Sequence, residues 1–281
     1  MMKKVLLSNG YAMPIIGLGT YGMNKTETKA IILKALQLGY RQLETAPIYL
    51  NELEIGEAIK SSGIDRDDIF ITSKIPPHIK SYESTLKIAD RIMSNLGIDY
   101  LDALLINNPV PWGKEGQDYS KENVDVWRAL EKLYDEERVG AIGVSNFAIN
   151  DLERLLPFVR VKPHINQLGI FIGHTLDDIR AYCLKHNIII QAHSPLARGR
   201  IFKLKEIHSV AEKLKLSAAQ IALQYVIEKN TYPIVKATSE QHLKENLEAL
   251  DLNLPKHWQK NLDEIVTDVR DYSPPKAKSI L

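Results

Sequence analysis

Eight short apolar runs alternate with amphipathic segments along almost the whole chain. The runs lie at Ile15–Tyr21, Tyr40–Ala46, Ile69–Lys74, Tyr100–Asn107, Val139–Asn146, His164–Ile170, Ile188–Ser194 and Tyr232–Ala237. Stretches such as ALLI (103–106) and IIIQA (188–192) are nearly continuous, as in strands of a parallel sheet buried on both faces. Helix candidates lie between them at Thr26–Leu38, Leu50–Ser61, Ser81–Leu96, Val124–Glu137, Asn150–Leu156, Leu176–His186 and Ser217–Glu228, with a last one at Glu240–Leu250. The spacing of Ala218, Ile221, Ala222, Tyr225 and Val226 carries the helical period. Eight strands, each followed by a helix over about 250 residues, predict an α/β fold of the (β/α)8 TIM-barrel class.

Ahead of the first unit, Val5-Leu6-Leu7, the turn Ser8-Asn9-Gly10 and Ala12 to Pro14 predict a β-hairpin plugging one end. The tail, Leu254–Leu281, is expected outside the barrel as a helical tail, with a helix near His257–Val266. With no linker, repeat or low-complexity stretch, residues 1–281 are read as a single domain. The longest loops are expected at Pro109–Asn123 and Pro195–Glu206, on the side of a barrel that carries function.

Composition narrows the partners. A net charge of +1 offers no long-range attraction for nucleic acid or an anionic membrane. No apolar run approaches the roughly 20 residues of a membrane span, and the start, MMKKVLLSNGYAMP, is too short for a secretory signal. Cys183 is the only cysteine, so no internal disulfide forms, and a reducing, cytoplasmic setting is expected. Its simplest role is a small buried side chain.

Gly17-Leu-Gly19-Thr-Tyr-Gly22 matches the G-x-G-x-x-G fingerprint of dinucleotide-binding sheets, and Glu44 stands near the place of the acidic ribose ligand. Three features oppose that reading. The alternation continues to eight, a hairpin precedes the first strand, and an open sheet leaves the polar strand ends idle.

Those ends are the functional clue, because the C-terminal strand ends of a barrel share one rim. Strand two ends in Glu44-Thr45-Ala46 with Tyr49 beyond it, strand three in Ser73-Lys74, and strand four in Asn107-Asn108. Strand five ends in Ser145-Asn146, strand six carries Asn166-Gln167, strand seven ends in His193-Ser194, and strand eight in Lys236. Each taken singly suits a turn or a solvated side chain. Their convergence on one face points to a site. Other chemistries lack their motifs: Gly143-Val-Ser145-Asn-Phe147 has no second Gly for a nucleophile elbow. There is no H-E-x-x-H and no G-x-x-x-x-G-K-[ST], and one cysteine builds no zinc cluster, so no metal is expected.

The sequence resembles the aldo-keto reductases over nearly its whole length. The matching segments are GLGTYG (17–22), RQLETAPIYLNELEIGEAI (41–59), FITSK (70–74), GIDYLDALLINNP (97–109), VGAIGVSNF (139–147), INQ (165–167), AHSPLARG (192–199) and IVKATSEQHLKENLEAL (234–250). The resemblance implies a barrel enzyme that reduces aldehydes and ketones with NADPH, less often NADH. The family's catalytic Asp, Tyr, Lys and His fall on Glu44, Tyr49, Lys74 and Asn107. Leu50 stands where a Gly is usual. A phenol with a pKa near 10 is a poor acid at neutral pH. An adjacent ammonium favours the phenolate, so Tyr49 with Lys74 suffices as an acid, and Glu44 can orient the lysine. Asn107 can donate a hydrogen bond to a carbonyl oxygen but cannot relay a proton.

By the same resemblance, the cofactor is expected to lie on Gly19, Thr20, Tyr21, Glu44, Ser145, Asn146, Gln167, His193, Ser194, Leu196 and Arg198. Lys236, Ala237, Thr238, His242, Glu245 and Asn246 complete the set. Ser145, Asn146 and Gln167 would hold the carboxamide, with His193 in place of a stacking Tyr. Lys236 would hold the 2′-phosphate, and Glu245 and Asn246 the adenine. Ala237 and His242 replace a Ser and an Arg at phosphate contacts, which weakens selectivity for NADPH over NADH. Tyr21, Pro47, Asn107 and Trp112 would meet a small-molecule carbonyl substrate. The segment Leu168-Gly169-Ile170-Phe171 departs from the family pattern. The expected assembly is a monomer or weak dimer. Two alternatives stay open because of Asn107: reduction of C=C or C=N, and a cofactor-binding sensor or partner protein with little catalysis.

Overall fold

Each apolar run forms a strand, and the last strand pairs back to the first. A computed structural model describes residues 2–265. The barrel strands are β3 (Gly17–Gly19), β4 (Gln42–Glu44), β5 (Phe70–Ile75), β6 (Leu101–Ile106), β7 (Val139–Ser145), β8 (Ile165–Gly169), β9 (Ile189–His193) and β10 (Thr231–Val235). All pair in parallel with their neighbours, and β10 closes on β3 through Ile234↔Gly17 and Val235↔Leu18. The strands are shorter than the apolar runs because the flanking residues turn into the rim loops.

Strand β6 shows how the pleat builds two cores. Ala103 and Leu105 point inward and pack with Phe70, Ala141 and Ile165. Leu104 and Ile106 point outward, into the larger core beneath the helices. That alternation follows from the period of two along a strand. The expected plug is present: β1 (Lys4–Leu6) pairs antiparallel with β2 (Ala12–Pro14), and Leu7 and Met13 join the inner cluster. The Tyr11 hydroxyl donates to Asp102 at 2.8 Å, and Asp102 also accepts from Arg66 at 2.6 Å and from the Ile71 amide at 2.8 Å. These bonds tie the hairpin to the barrel floor.

The outer helices are α1 (Lys25–Leu38), α2 (Glu52–Ser62), α3 (Tyr82–Leu96), α4 (Ser120–Asp135), α5 (Ile149–Leu155), α6 (Asp177–Lys185), α7 (Lys205–Leu214), α8 (Ala218–Glu228), α9 (Glu240–Glu248) and α10 (Lys256–Asp263). Helix α7 is a departure from the sequence reading, which ran a loop to Glu206 and began the next helix at Ser217. Ile207, Val210 and Ala211 are its buried face, at helical spacing. Its start lacks a polar cap, because Leu204 occupies that position. Helix α4 starts earlier than expected, at Ser120. The tail helix is α10, held by the Tyr225 hydroxyl on Asp263 at 2.5 Å and by Lys229 at 2.6 Å. The remainder of the predicted tail, 266–281, lies outside the described residues.

Helices α2 and α3 meet where Gly56 lies against Leu96. A Cβ at Gly56 would strike the Leu96 carbonyl and its backbone neighbours, which cannot swing aside as a side chain can. Gly56→Ala should therefore lower stability by about 1–3 kcal/mol, the scale of overpacking a rigid contact. Urea unfolding of the two proteins measures this, and equal midpoints and slopes would refute it.

Candidate active site

The closed sheet brings its C-terminal strand ends to one rim. Glu44 ends β4, Lys74 lies one residue before the end of β5, and Asn107 follows β6. Ser145 ends β7, Gln167 lies in β8 and His193 ends β9. Tyr49 closes a single 3-10 turn, Pro47–Tyr49. The turn is capped by Leu50, which takes the left-handed conformation (φ 59°) that a Gly adopts without strain. A cavity of about 540 Å³ is lined by these groups.

The cavity gathers most of the residues expected from sequence. Glu44, Tyr49, Lys74, Asn107, Tyr21 and Trp112 line it, as do Gly19, Ser145, Asn146, Gln167, His193, Ser194, Leu196 and Arg198. Lys236, Ala237, Thr238 and His242 line it as well. Four expected residues do not. Thr20 is buried and hydrogen-bonded to Asn51, whose amide nitrogen donates to the Thr20 carbonyl at 3.0 Å. Pro47 opens the 3-10 turn. Glu245 accepts a bond from Gln241, and Asn246 is buried on α9. Ile48, Gly199, Ile234 and Val235 line the cavity without having been singled out, since apolar and backbone surfaces carry no motif.

At the centre, Lys74 and Glu44 are both buried and paired, and the Lys74 ammonium donates to the Tyr49 oxygen at 3.0 Å. The Tyr49 hydroxyl donates to Glu44 Oε1 at 3.1 Å. Burial pushes the Lys74 ammonium down, to about 7, while a carboxylate against it favours the charged form. The Tyr21 ring meets the Tyr49 ring edge-on at 5.1 Å.

Asn107 is buried at the edge of the cavity. Its carbonyl accepts from the Asn146 amide at 3.0 Å, while its own side-chain amide makes no hydrogen bond among the described residues. Asn146 stands in the left-handed region (φ 62°), which Asn tolerates well. Its amide nitrogen also reaches Ser145 Oγ at 3.1 Å, so its Oδ1 is an acceptor. His193 Nε2 lies 3.1 Å from that oxygen and must carry the proton. The lowered basicity of His193 keeps its ring neutral. Burial, and then the charges of Lys74, Arg198 and His174, push it down to about 3.

Lys80 is a positioning group that the sequence did not advertise. Its ammonium donates to the Asn108 and Pro109 carbonyls, each at 3.0 Å, and to Asn123 Oδ1 at 2.6 Å. It thereby clamps the start of the loop that carries Trp112. Burial pushes Lys80 down to about 8, against the pull of Glu122 and Asp151.

At the outer end, Lys236 is exposed and donates to the Gly22 carbonyl at 2.7 Å. His242 is exposed, and Ala237 offers no side-chain hydrogen bond. The donor set fits a nicotinamide nucleotide. An exposed cation, a lysine-paired phenol and a flat neutral ring line the same cavity. Among the described residues, no group of three His, Cys, Asp or Glu could hold a metal ion, and no helix is long and apolar enough to cross a membrane.

Comparison with known proteins agrees with this geometry. The model of the Aldo/keto reductase family matches residues 15–267. The chain is 37% identical over 267 residues to the glyoxal reductase of Bacillus subtilis (strain 168), covering 95% of this chain and 94% of that one. An aldo/keto reductase from Brucella melitensis superposes with a TM-score of 0.87 at 37% identity, covering 94% and 99%. An aldo-keto reductase of Bombyx mori in complex with NADP does so with a TM-score of 0.85 at 25% identity, covering 97% of each. The chain belongs to the aldo/keto reductase family and is an NAD(P)H-dependent oxidoreductase.

His164, His174 and His193 are all pushed down, in each case mainly by burial. An unfolded His binds a proton below about 6.5, where these folded ones do not. The unfolded state then holds more protons, so stability must fall as pH drops from about 6.5 toward the lower folded values. Urea midpoints at pH 7 and pH 5 should show this loss, with a shallower loss in His193→Asn. An identical pH slope in the variant would show that His193 protonates freely in the fold.

Proposed function

We propose that the protein reduces a small aldehyde or ketone, with Tyr49 as proton donor and NADPH as the preferred hydride source. One observation carries the reading: a phenol paired with a buried lysine faces a cavity beside an unengaged amide. The Bacillus glyoxal reductase supports a small, activated carbonyl as substrate class. Ile48, Trp112 and Tyr21 would form the apolar side of its pocket. On this proposal residues 1–281 form one barrel domain that acts in the cytoplasm as a monomer or weak dimer.

Bound reduced nicotinamide supplies the hydride. Ser145, Asn146 and Gln167 would hold its amide, and the neutral His193 ring would lie against its face. The Asn107 amide would donate to the substrate oxygen and aim the carbonyl carbon. As negative charge grows on that oxygen, the Tyr49 hydroxyl delivers its proton there. Lys74 stabilises the phenolate left behind, and Glu44 keeps Lys74 charged in a buried place. Asn107 does not titrate, so the proton must come through Tyr49.

Tyr49→Phe should lower kcat by about 10²- to 10⁴-fold, the range for loss of a general acid. NADPH oxidation with activated aldehydes and diketones reads it, and wild-type turnover by Tyr49→Phe would overturn the role. Lys236 would carry most of the 2′-phosphate recognition. One charge-assisted contact corresponds to roughly ten- to a hundred-fold preference for NADPH over NADH. Lys236→Met should remove it. An unchanged ratio of dissociation constants would mean that the phosphate sits elsewhere.

A further inference from the structure

The Tyr49 hydroxyl has one proton, and the structure directs it at Glu44. The hydroxyl donates to Glu44 Oε1 at 3.1 Å, while the Lys74 ammonium donates to the Tyr49 oxygen at 3.0 Å and pairs with the same Glu44 oxygen. Glu44 comes from β4 and Lys74 from β5, and the Tyr21 ring packs on the third side. A carboxylate is a stronger hydrogen-bond acceptor than a neutral carbonyl oxygen. A substrate entering the cavity must therefore compete with Glu44 for the one proton it needs.

We propose that Glu44 is a proton-holding residue for Tyr49: its carboxylate keeps the phenol O–H turned away from the cavity until alkoxide charge develops on the substrate. This role rests on the reductase reading above. Hydride from bound reduced nicotinamide, which would be oxidised in the step, adds to the carbonyl carbon, and the π pair moves onto oxygen. The phenol O–H swings from Glu44 to that oxygen, its bond breaks, and the alcohol O–H forms. The phenolate remains on Lys74 and recovers a proton from water. The hold makes the site slow on weakly activated carbonyls, since neutral acceptors cannot displace the carboxylate. Alkoxide can, being far more basic.

Removing one methylene withdraws the carboxylate by about 1.5 Å, one carbon–carbon bond. At that separation it no longer reaches the phenol oxygen within hydrogen-bond range. Glu44→Asp should then free the phenol proton for the substrate. We expect kcat/KM for 4-nitrobenzaldehyde to rise about tenfold, the scale of one hydrogen bond to a charged acceptor. A binding measurement needs no turnover. Dimethylacetamide is a non-reducible carbonyl acceptor, and its dissociation constant on the NADP-loaded protein is read from tryptophan fluorescence. It should bind about tenfold tighter to Glu44→Asp than to wild type, with no such gain in a Tyr49→Phe background. Wild type and Tyr49→Phe should bind it equally, because the wild-type phenol is engaged. Glu44→Gln keeps the length but leaves Lys74 without its counter-charge, and should fall below wild type.

Tighter binding of the amide by wild type than by Tyr49→Phe overturns the proposal, whatever the fate of Glu44→Asp. So does a Glu44→Asp protein that binds NADP normally but shows no gain, or whose gain persists without the phenol. The reductase reading fails separately, by Tyr49→Phe turning over aldehydes as fast as wild type.

Discussion

Parallel strands leave unpaired edges unless the sheet closes, and closure is the constraint on which the site depends. The pairing of β10 with β3 makes the eight strands a ring. Every backbone donor and acceptor facing a neighbouring strand can then be met within the sheet. The ring also forces all eight C-terminal strand ends to one rim. Residues 149 positions apart in sequence, such as Glu44 and His193, line one cavity for that reason alone. The opposite end must be filled to exclude water, and the hairpin does so with Leu7 and Met13. A chain that lost closure would lose the site along with the edges.

The rim then has to keep charge in a place with little water. Lys74 and Glu44 are almost wholly buried, and burying a lone charge is costly unless it is paired and hydrogen-bonded. Their answer is mutual pairing plus the Tyr49 oxygen. In the same cavity, His193 resolves the same problem by staying neutral and donating to Asn146. Asn146 in turn holds the Asn107 carbonyl and Ser145, which donates to the Gln167 carbonyl at 2.9 Å. One continuous set of bonds therefore runs around the rim from β6 to β9. It can orient a planar amide ligand without moving a charge.

Much of this was legible because it depends on period and position. The two-residue pleat and the eightfold alternation specify the barrel, and strand-end residues such as Glu44, Lys74 and Ser145 follow from it. What escaped has physical reasons. Helix α7 begins at a leucine, with no polar side chain to signal its cap. Lys80 reads as one more loop lysine, since its three partners include two backbone carbonyls that no sequence pattern reveals. The contact of Glu44 with the Tyr49 hydroxyl was equally hidden. A sequence records the extra methylene, but the direction in which it points depends on packing. Thr20 illustrates the converse: a strand-end residue whose position suited the cavity but whose hydroxyl is turned to Asn51.

The substitutions in the pocket act together. Asn107 cannot titrate, and His193 stays neutral throughout the physiological range. Arg198, Lys236 and His242 line the outer part of the cavity with the segments 194–199 and 236–242. Apart from the Tyr21 phenol, which is exposed, proton exchange in the inner cavity is confined to Tyr49, Glu44 and Lys74. These three meet at one oxygen, the phenol of Tyr49. A site with a histidine at position 107 would have a second route for the proton and could tolerate a poor phenol. Under the proposed reduction this cavity offers a single route, so its reactivity would be set by how that phenol is shared between its two charged neighbours and the substrate.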